Sequence, residues 1–409
     1  MGMRRRVFAP ALMAIVVDAM GFGLVYPLMT ELFAGVEGLH MAAGMSVGLR
    51  HFYLGLCFLL YPLATFFSAP WMNDLAERYG GKKILLLCMG GQTVGFLLMG
   101  AGVEFVNVAV LLVGRALSGL MAGSQPIAQA SLIDQSPPEH KRRNLSVLAV
   151  VVAAGIVIGP LIGGIFSDEN LVAWFTLSTP FYIAAALALI TTIWVGASFP
   201  SLQVLSDKPR SYSRPLMIFW EGFKHPKMGS LALVFLCMQL GFSLFYQMIQ
   251  VFVSTVFSFP SWEIGVFNGF LGVAFALVLL FGIKFFLHFL PVEKVASLAL
   301  LLTGVFLILP MLYPQEVFVW VMAFLAAGFN MVAYGALMAC FASAVDTAQQ
   351  RWVMALFGSI VAAAWTVTGL ATNLIDSIGL RWLIAIGGLL LLLSYFLMVR
   401  RNASASSKN

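Results

Sequence analysis

The stretch VVDAMGFGLVYPLM (residues 16–29) lies within an apolar segment, residues 7–28, that is long enough to cross a bilayer as a helix. It nevertheless contains Asp18, and an ionised carboxylate near the middle of a membrane costs several kcal/mol. Acids in such positions usually pair with another group or line a transport pathway. Asp18 is therefore the first candidate functional residue.

The composition predicts an integral membrane protein. Hydrophobic residues make up 61% of the 409 residues and charged residues 10%, whereas soluble domains carry roughly 25% charged residues. Apolar runs of about 20 residues favour spanning helices over the shorter alternating strands of a β-barrel. We predict twelve transmembrane helices, at residues 7–34, 46–72, 84–103, 107–135, 144–167, 173–196, 228–254, 263–285, 292–312, 316–342, 352–376 and 381–399.

These helices fall into two groups of six, which predicts an N-terminal half (1–198), a cytoplasmic linker (199–227) and a C-terminal half (228–409). The fourth helix of each half ends in a similar sequence, ASLIDQ (130–135) and ASAVDT (342–347). Parallel six-helix repeats of this kind resemble the major facilitator architecture. Within the linker, residues 214–224 are predicted either to form a short interfacial helix or to be a plain tether.

Basic residues predict the orientation, because cytoplasmic loops are enriched in Lys and Arg. With a cytoplasmic N-terminus, only Arg50 and Arg381 lie near the outer side. We therefore expect a multi-pass protein of the cell (inner) membrane with both termini in the cytoplasm. The net charge of +6 then reflects basic loops facing an anionic leaflet, and no nucleic acid is expected as a partner.

The loop after the second helix, NDLAERYGGKK (73–83), predicts a charge lock. It resembles the major facilitator loop pattern Gly-x-Leu-Ala-Asp-Arg-x-Gly-Arg-Lys, with Asn73, Glu77 and Gly81 as departures. In that reading, carboxylates and basic residues hold helices together at the cytoplasmic side and separate when the protein opens. Positive-inside charge alone is the alternative. The expected gate residues are Asn73, Asp74, Glu77, Arg78, Gly80, Lys82, Lys83 and Asp134.

The fifth helix carries GIVIGPLIGG (155–164), whose small residues permit close helix packing. The motif residues are Gly155, Gly159, Pro160, Gly163 and Gly164. This segment resembles the antiporter signature of proton-coupled drug exporters. The resemblance implies that the glycines pack against a helix of the C-terminal half and limit leak, with generic small-residue packing as the alternative.

The first helix completes this resemblance. DAMGFGLVYPL (18–28) is similar to the first helix of tetracycline/proton antiporters and related drug exporters, with an acid, two glycines and a proline in the same order. The resemblance covers all twelve helices but is specific only in helix one, the loop after helix two, and helix five. It implies a drug/proton antiporter of the major facilitator superfamily.

Arg115 in helix four is the predicted partner of Asp18. Counting about 1.5 Å per residue places Asp18 roughly 16 Å and Arg115 roughly 18 Å from the inner edge of a core about 30 Å thick. Two opposite charges at similar depth would stabilise each other, and the family also has an arginine in helix four. We expect the pair to couple transport to protons. A static structural ion pair is the alternative.

Polar stripes predict a central substrate cavity, because polar faces are unlikely to meet lipid. Such stripes recur at helical spacing in helices four and seven, and hydrogen bonding between helices is the alternative for each residue. The predicted cavity residues are Phe22, Ser118, Gln125, Gln129, Gln239, Ser243, Tyr246, Gln250, Asn330 and Tyr334.

Several reaction classes are disfavoured. The chain has no phosphate-binding Gly-Lys-Ser/Thr loop and no catalytic or metal-ligating constellation, so we expect neither an enzyme nor a cofactor or metal site. Helix nine lacks the acid, and helix eight the central histidine, that tetracycline antiporters carry, so a metal–tetracycline chelate is not the expected substrate. We predict a monomeric, proton-coupled efflux transporter of small amphipathic compounds or drugs. The alternatives are a transporter of one metabolite such as a siderophore, and a non-transporting receptor.

Overall fold

The computed structural model describes residues 2–34, 41–134, 136, 138–199, 214–226, 228–346 and 349–406. In that part of the chain the regular structure is helical, and twelve helices are long and apolar enough to cross a membrane. The predicted all-α membrane fold is confirmed. The helices are α1 Gly2–Ala34, α2 Val47–Tyr79, α3 Gly81–Glu104, α4 Val108–Leu120 with Ser124–Asp134, α5 Pro138–Ile165, α6 Thr179–Ser198, α7 Gly229–Phe257, α8 Ser261–Leu277 with its extensions, α9 Val292–Leu312, α10 Glu316–Ser343, α11 Gln350–Gly369 with its extensions, and α12 Leu380–Ser406.

Three of these helices depart from regular α geometry. A turn over Met121–Gly123 divides α4, which the sequence predicted as continuous. Pro126 is the third residue of the second segment. In an unbroken helix its ring would clash with the carbonyl one turn earlier, so a break is favoured there. A π-helical segment, Val278–Gly282, extends α8 into Ile283–Phe289, and a 3-10 segment, Leu370–Leu374, extends α11 into Ile375–Ile378.

The chain forms two compact units. The first unit comprises Met1–Ser211 together with Ser258–Gly269 of α8, and the second comprises Tyr212–Phe257 and Phe270–Asn409. In the first unit, α1 packs on α5, and α3 packs on both α4 and α6. In the second unit, α7 packs on α12 and α11, and α9 packs on α10 and α12. The division into halves at the linker stays a prediction.

The linker is described only in part, because residues 200–213 and 227 lie outside the described residues. Arg214–Lys224 forms a helix, here called the linker helix. Of the two alternatives for this segment, a short helix and a plain tether, the helix is present. Ile218 is buried, and Gly222 packs tightly against the side chain of Leu356 in α11. The linker helix therefore rests on the second unit through one face.

Candidate functional site

Asp18 lies in the interior of the first unit and is 6% exposed. Its Oδ1 accepts hydrogen bonds from Ser124 Oγ at 2.7 Å and from Gln92 Nε2. Ser124 is the first residue after the break in α4, and Gln92 lies in the middle of α3. The carboxylate is therefore held by neutral donors from two helices, and three helices meet at this group.

Gln92 was not predicted from the sequence. It is 2% exposed, and its Nε2 also lies 3.3 Å from Ser124 Oγ. Its Oε1 is buried and has no hydrogen-bond partner in the part of the chain that the structure describes. The signal was present in the sequence, since GGQTVG (90–95) places an amide between glycines at the centre of an apolar helix.

Arg115 is 1% exposed but does not pair with Asp18. Its Nε donates to the carbonyl of Cys57 at 3.0 Å, and its guanidinium carbon lies 4.7 Å from the ring centroid of Tyr61. Nη1 and Nη2 have no hydrogen-bond partner among the described residues. The expected ion pair is therefore wrong for this structure, because depth along a helix does not fix the direction of the side chain. Arg115 turns toward α2, and Ser124 occupies the place beside Asp18.

An aromatic cluster connects the two charged side chains. The Tyr61 ring lies beside Arg115, whose guanidinium carbon is 4.7 Å from the ring centroid. Phe22 packs against Tyr61 and Tyr26, with ring centroids 5.8 Å and 5.4 Å away. Phe22, a predicted cavity residue, thus belongs to the wall around the Asp18–Arg115 region.

The predicted cavity residues of α4 have different environments. Ser118 is 2% exposed and packs against Gly95 of α3, where a side chain would overlap its Oγ. Ser118 Oγ has no hydrogen-bond partner among the described residues, and its place in a cavity stays a prediction. Gln125 and Gln129 are partly exposed, and their place in a cavity stays a prediction.

The polar stripe of α7 packs against α11. Ser243 accepts a hydrogen bond from Thr368 Oγ1 at 2.9 Å and donates to the carbonyl of Gln239 at 2.6 Å. Tyr246 packs against Trp365 with ring centroids 5.6 Å apart. Ser243 thus forms a hydrogen bond between helices, which was the alternative to a cavity position. Gln239 is buried, with 4% of its surface exposed.

The remaining predicted residues of the second unit are largely buried. Gln250 donates to the carbonyl of Tyr246 at 3.3 Å. Asn330 is 5% exposed, and its Oδ1 has no hydrogen-bond partner in the described part of the chain. Tyr334 packs against Phe357 with ring centroids 4.9 Å apart. Whether these residues contact a substrate stays a prediction.

The glycine strip of α5, defined as Gly155, Gly159, Gly163 and Gly164, has two packing faces. The first three glycines lie against α1, and a Cβ on Gly155 would come within 2.7 Å of the Cβ of Ala19. For these three the expected packing against the C-terminal half is wrong. They share one helix face by their spacing of four, and α1 covers that face.

Gly164 points in another direction from the rest of the strip, toward α8. A Cβ on Gly164 would lie 2.7 Å from the Cα of Gly265, and Ser167 Oγ lies 2.8 Å from Ser261 Oγ. Pro160 also packs against Gly23 of α1. The segment Ser258–Gly269, which the sequence assigned to the C-terminal half, is therefore packed within the first unit.

The predicted charge lock lies at the end of α2, and the structure describes all of its residues except the side chain of Asp134. Gly80 ends α2 with φ +92°, and its N–H donates to the carbonyl of Ala76 at 3.0 Å. Arg78 and Lys83 are exposed, Lys82 is half-buried, and Arg78 packs over the ring of Tyr79 at 5.4 Å. Asn73 is exposed, Asp74 and Glu77 are half-buried, and the side chain of Asp134 lies outside the described residues. The lock itself stays a prediction.

A cavity of about 420 Å³ lies at the end of the first unit where α5 leads into α6. Acidic side chains share its lining with backbone turns and Ser261. Asp168 accepts the N–H of Asn170 at 2.8 Å, and Glu104 accepts the hydroxyl of Tyr182. The cavity is thus an acidic pocket with partnered carboxylates.

The sequence profile described as Major Facilitator Superfamily matches residues 11–369. This chain belongs to the Major Facilitator Superfamily. It is a multi-pass membrane protein with twelve candidate spans in the described residues. The human organic anion transporter MFSD10 (TETRAN) shares its fold, with a TM-score of 0.71 and 18% identity over 97% of this chain and 99% of that chain.

Relatives of this superfamily member include drug-resistance proteins. It is 29% identical over 186 residues to the tetracycline resistance protein, class B, of Escherichia coli, which covers 45% of this chain and 42% of that protein. It is 33% identical over 181 residues to the multidrug resistance protein MdtG of Serratia proteamaculans, covering 43% and 40%. The predicted resemblance to the drug/proton antiporter group is confirmed. The matches span less than half the length of these relatives.

Proposed function

We propose that this superfamily member is a proton-coupled secondary transporter that exports small amphipathic compounds or drugs across the inner membrane. Both termini would face the cytoplasm, and the chain would act as a monomer. The superfamily assignment supports a transporter rather than an enzyme. The relatives named for tetracycline and multidrug resistance support drug efflux.

The observation that carries this proposal is the pair of buried, separately held charges in the first unit. Asp18 is bonded by the neutral donors Gln92 and Ser124, while Arg115 has two guanidinium nitrogens without partners among the described residues. An ion pair locked in place would resist protonation and movement. A carboxylate held by neutral donors can instead gain or lose a proton, or move to Arg115, without breaking such a pair.

The coupling cycle follows from this arrangement. Protons entering from outside would neutralise Asp18 and weaken its attraction for any cationic group. The protonated and ionised forms would then favour states open to different sides, with substrate and proton alternating. One proton supplies about 2.3 kcal/mol per 100 mV and about 1.4 kcal/mol per pH unit. This is ample to drive modest solute accumulation.

The aromatic cluster supports an amphipathic substrate class. Phe22 packs against Tyr26 and Tyr61, and the Tyr61 ring centroid lies 4.7 Å from the Arg115 guanidinium carbon. Aromatic faces attract both apolar groups and cations. A planar aromatic cation such as ethidium has both features.

Flux in proteoliposomes tests the proposal. Vesicles containing the full chain are loaded with an internal proton-sensitive dye, given an outward or inward pH gradient, and exposed to ethidium. We expect ethidium to move against its own concentration gradient only when protons can flow down their gradient in the opposite direction. Asp18→Asn should abolish this proton counterflow. Ethidium transport that is equal with and without a pH gradient, or a chain that moves no member of a panel of drugs and metabolites, contradicts the proposal.

A further inference from the structure

We propose that Gln92 is a positioning residue that keeps Asp18 bonded in both of its protonation states by turning its side-chain amide when the proton binds. This inference rests on the proposed function for its role in transport. It is carried by the geometry of Asp18, Gln92 and Ser124, which join α1, α3 and the second segment of α4.

The observed arrangement fits the ionised form of Asp18. An ionised carboxylate has only acceptors, so a neighbouring amide must present its N–H group. Gln92 Nε2 and Ser124 Oγ both donate to Asp18 Oδ1. The amide oxygen of Gln92 then has no hydrogen-bond partner in the described residues, although it is buried. An unpaired buried acceptor costs about 1–3 kcal/mol, so this orientation of the amide is favourable only while the carboxylate needs the N–H.

Protonation reverses this requirement. A hydronium ion transfers its proton to Asp18 Oδ1 and leaves as water, so the acid gains one O–H donor while Oδ2 remains an acceptor. A half-turn of the Gln92 amide brings Oε1 to that O–H. Ser124 continues to donate to the same Oδ1, which keeps a lone pair as a hydroxyl oxygen. The hydrogen bond between α1 and α3 is therefore kept in both protonation states of Asp18. Gln92 Oε1 gains a hydrogen-bond partner when Asp18 is protonated.

Among the titratable side chains on the helices around it, Asp18 is the one whose charge changes near neutral pH. Tyr61 of α2 and Cys88 of α3 carry side chains that are neutral at neutral pH. Arg115 of α4 bonds the carbonyl of Cys57 and keeps its charge. The described spanning part of α5, Val147–Ile165, contains no titratable residue, and the one in α6 is Tyr182, which bonds Glu104.

Infrared spectroscopy of the full-length protein in nanodiscs tests the amide turn without a transport assay. The pH-difference spectrum should contain a carboxyl band and a glutamine amide band that moves when isotopically labelled glutamine is used. Asp18→Asn should lose both bands, and Gln92→Met should lose the amide band. The matched control is Thr93→Val, because among the described residues the Thr93 hydroxyl bonds the Met89 carbonyl of its own helix, at 2.9 Å, and not Asp18.

Two results would overturn the inference in that experiment. The first is a carboxyl band from Asp18 with no accompanying glutamine band in the unmodified protein, a measurement that does not depend on any variant folding. The second is a glutamine band that persists in Gln92→Met. Either result would mean that the amide of Gln92 does not follow the proton.

Transport separates this inference from the proposed function. Gln92→Met should slow pH-driven ethidium transport by about tenfold or more and change its pH profile, because one protonation state loses its buried partner. Thr93→Val should behave as the unmodified protein does. If the unmodified protein transports but Gln92→Met has the same pH profile, the inference about Gln92 fails alone. If the unmodified protein shows no pH-driven transport, the proposed function fails and the infrared result still decides the role of Gln92.

Discussion

Gly164 and Gly265 face each other with no side chain between their backbones: a Cβ on Gly164 would lie 2.7 Å from the Cα of Gly265. The contact joins α5 to the first part of α8 inside the first unit. Ser167 and Ser261 add a hydrogen bond of 2.8 Å one turn away. The backbones of α5 and α8 therefore approach closely at these two glycines, and a larger side chain at either position would push the helices apart.

Gly265→Val should force α5 and α8 apart. Overpacking of a close contact costs about 1–3 kcal/mol, so we expect a lower unfolding temperature in detergent and slower substrate exchange in vesicles. The matched control is Gly90→Val in α3, because a Cβ at Gly90 meets nothing within 4 Å. Equal unfolding temperatures for the two variants would show that the α5–α8 contact can open without loss.

Double-mutant cycles should rank the partners of Asp18. The pair Asp18→Asn with Gln92→Met should show a coupling energy above about 0.5 kcal/mol on unfolding in detergent, because the two side chains are hydrogen-bonded. The pair Asp18→Asn with Arg115→Gln should show a smaller coupling energy, since Arg115 bonds Cys57 instead. A larger value for the Arg115 cycle would mean that the ion pair predicted from the sequence dominates in solution.

Gly80→Ala should be destabilising, because Gly80 is buried at the end of α2 in a backbone conformation that side chains disfavour. The φ of Gly80 is +92°, a conformation that costs roughly 1 kcal/mol or more for a residue with a side chain. Gly358→Ala in α11 is the matched control, because its Cβ would meet nothing within 4 Å and alanine favours helices. We expect a lower unfolding temperature for the first variant and an unchanged or higher one for the second. The reverse order would contradict the backbone strain inferred at Gly80.

The linker helix should lie at the lipid headgroups. Leu216, Met217 and Trp220 are 54%, 45% and 62% exposed, and Lys224 Nζ lies 4.7 Å from the ring centroid of Trp220. An exposed apolar face bordered by a basic residue suits an anionic interface. Shallow brominated lipids should quench a fluorescence component that Trp220→Phe removes. Trp365→Phe is the control, since Trp365 packs against Tyr246 in the second unit. Equal loss of quenching in both variants would place the linker helix away from the lipid.

The comparison of sequence and structure is clearest around Asp18. Hydropathy identified the spanning helix, and the cost of a buried carboxylate marked Asp18 as unusual, since both depend on residue type and run length. The side chains that bond Asp18 could not be identified in the same way. Arg115 has a matching depth, but its side chain direction depends on rotamer choice and on the break at Met121–Gly123, which brings Ser124 to the carboxylate. The glycine strip was recognised from its spacing, whereas the helix that covers it was not.

Sequence by itself therefore determined the twelve spanning helices, the superfamily resemblance and the identity of the buried acid. Each of these follows from local quantities: the length of apolar runs, periodicity along one helix, and the free energy of placing a charge in hydrocarbon. Only the tertiary structure decided that Gln92 and Ser124 hold Asp18, that Arg115 bonds Cys57, and that Gly155 faces α1 while Gly164 faces α8. Those outcomes depend on how helices rotate about their axes and pack, and no single helix sequence specifies which neighbour will meet each of its faces.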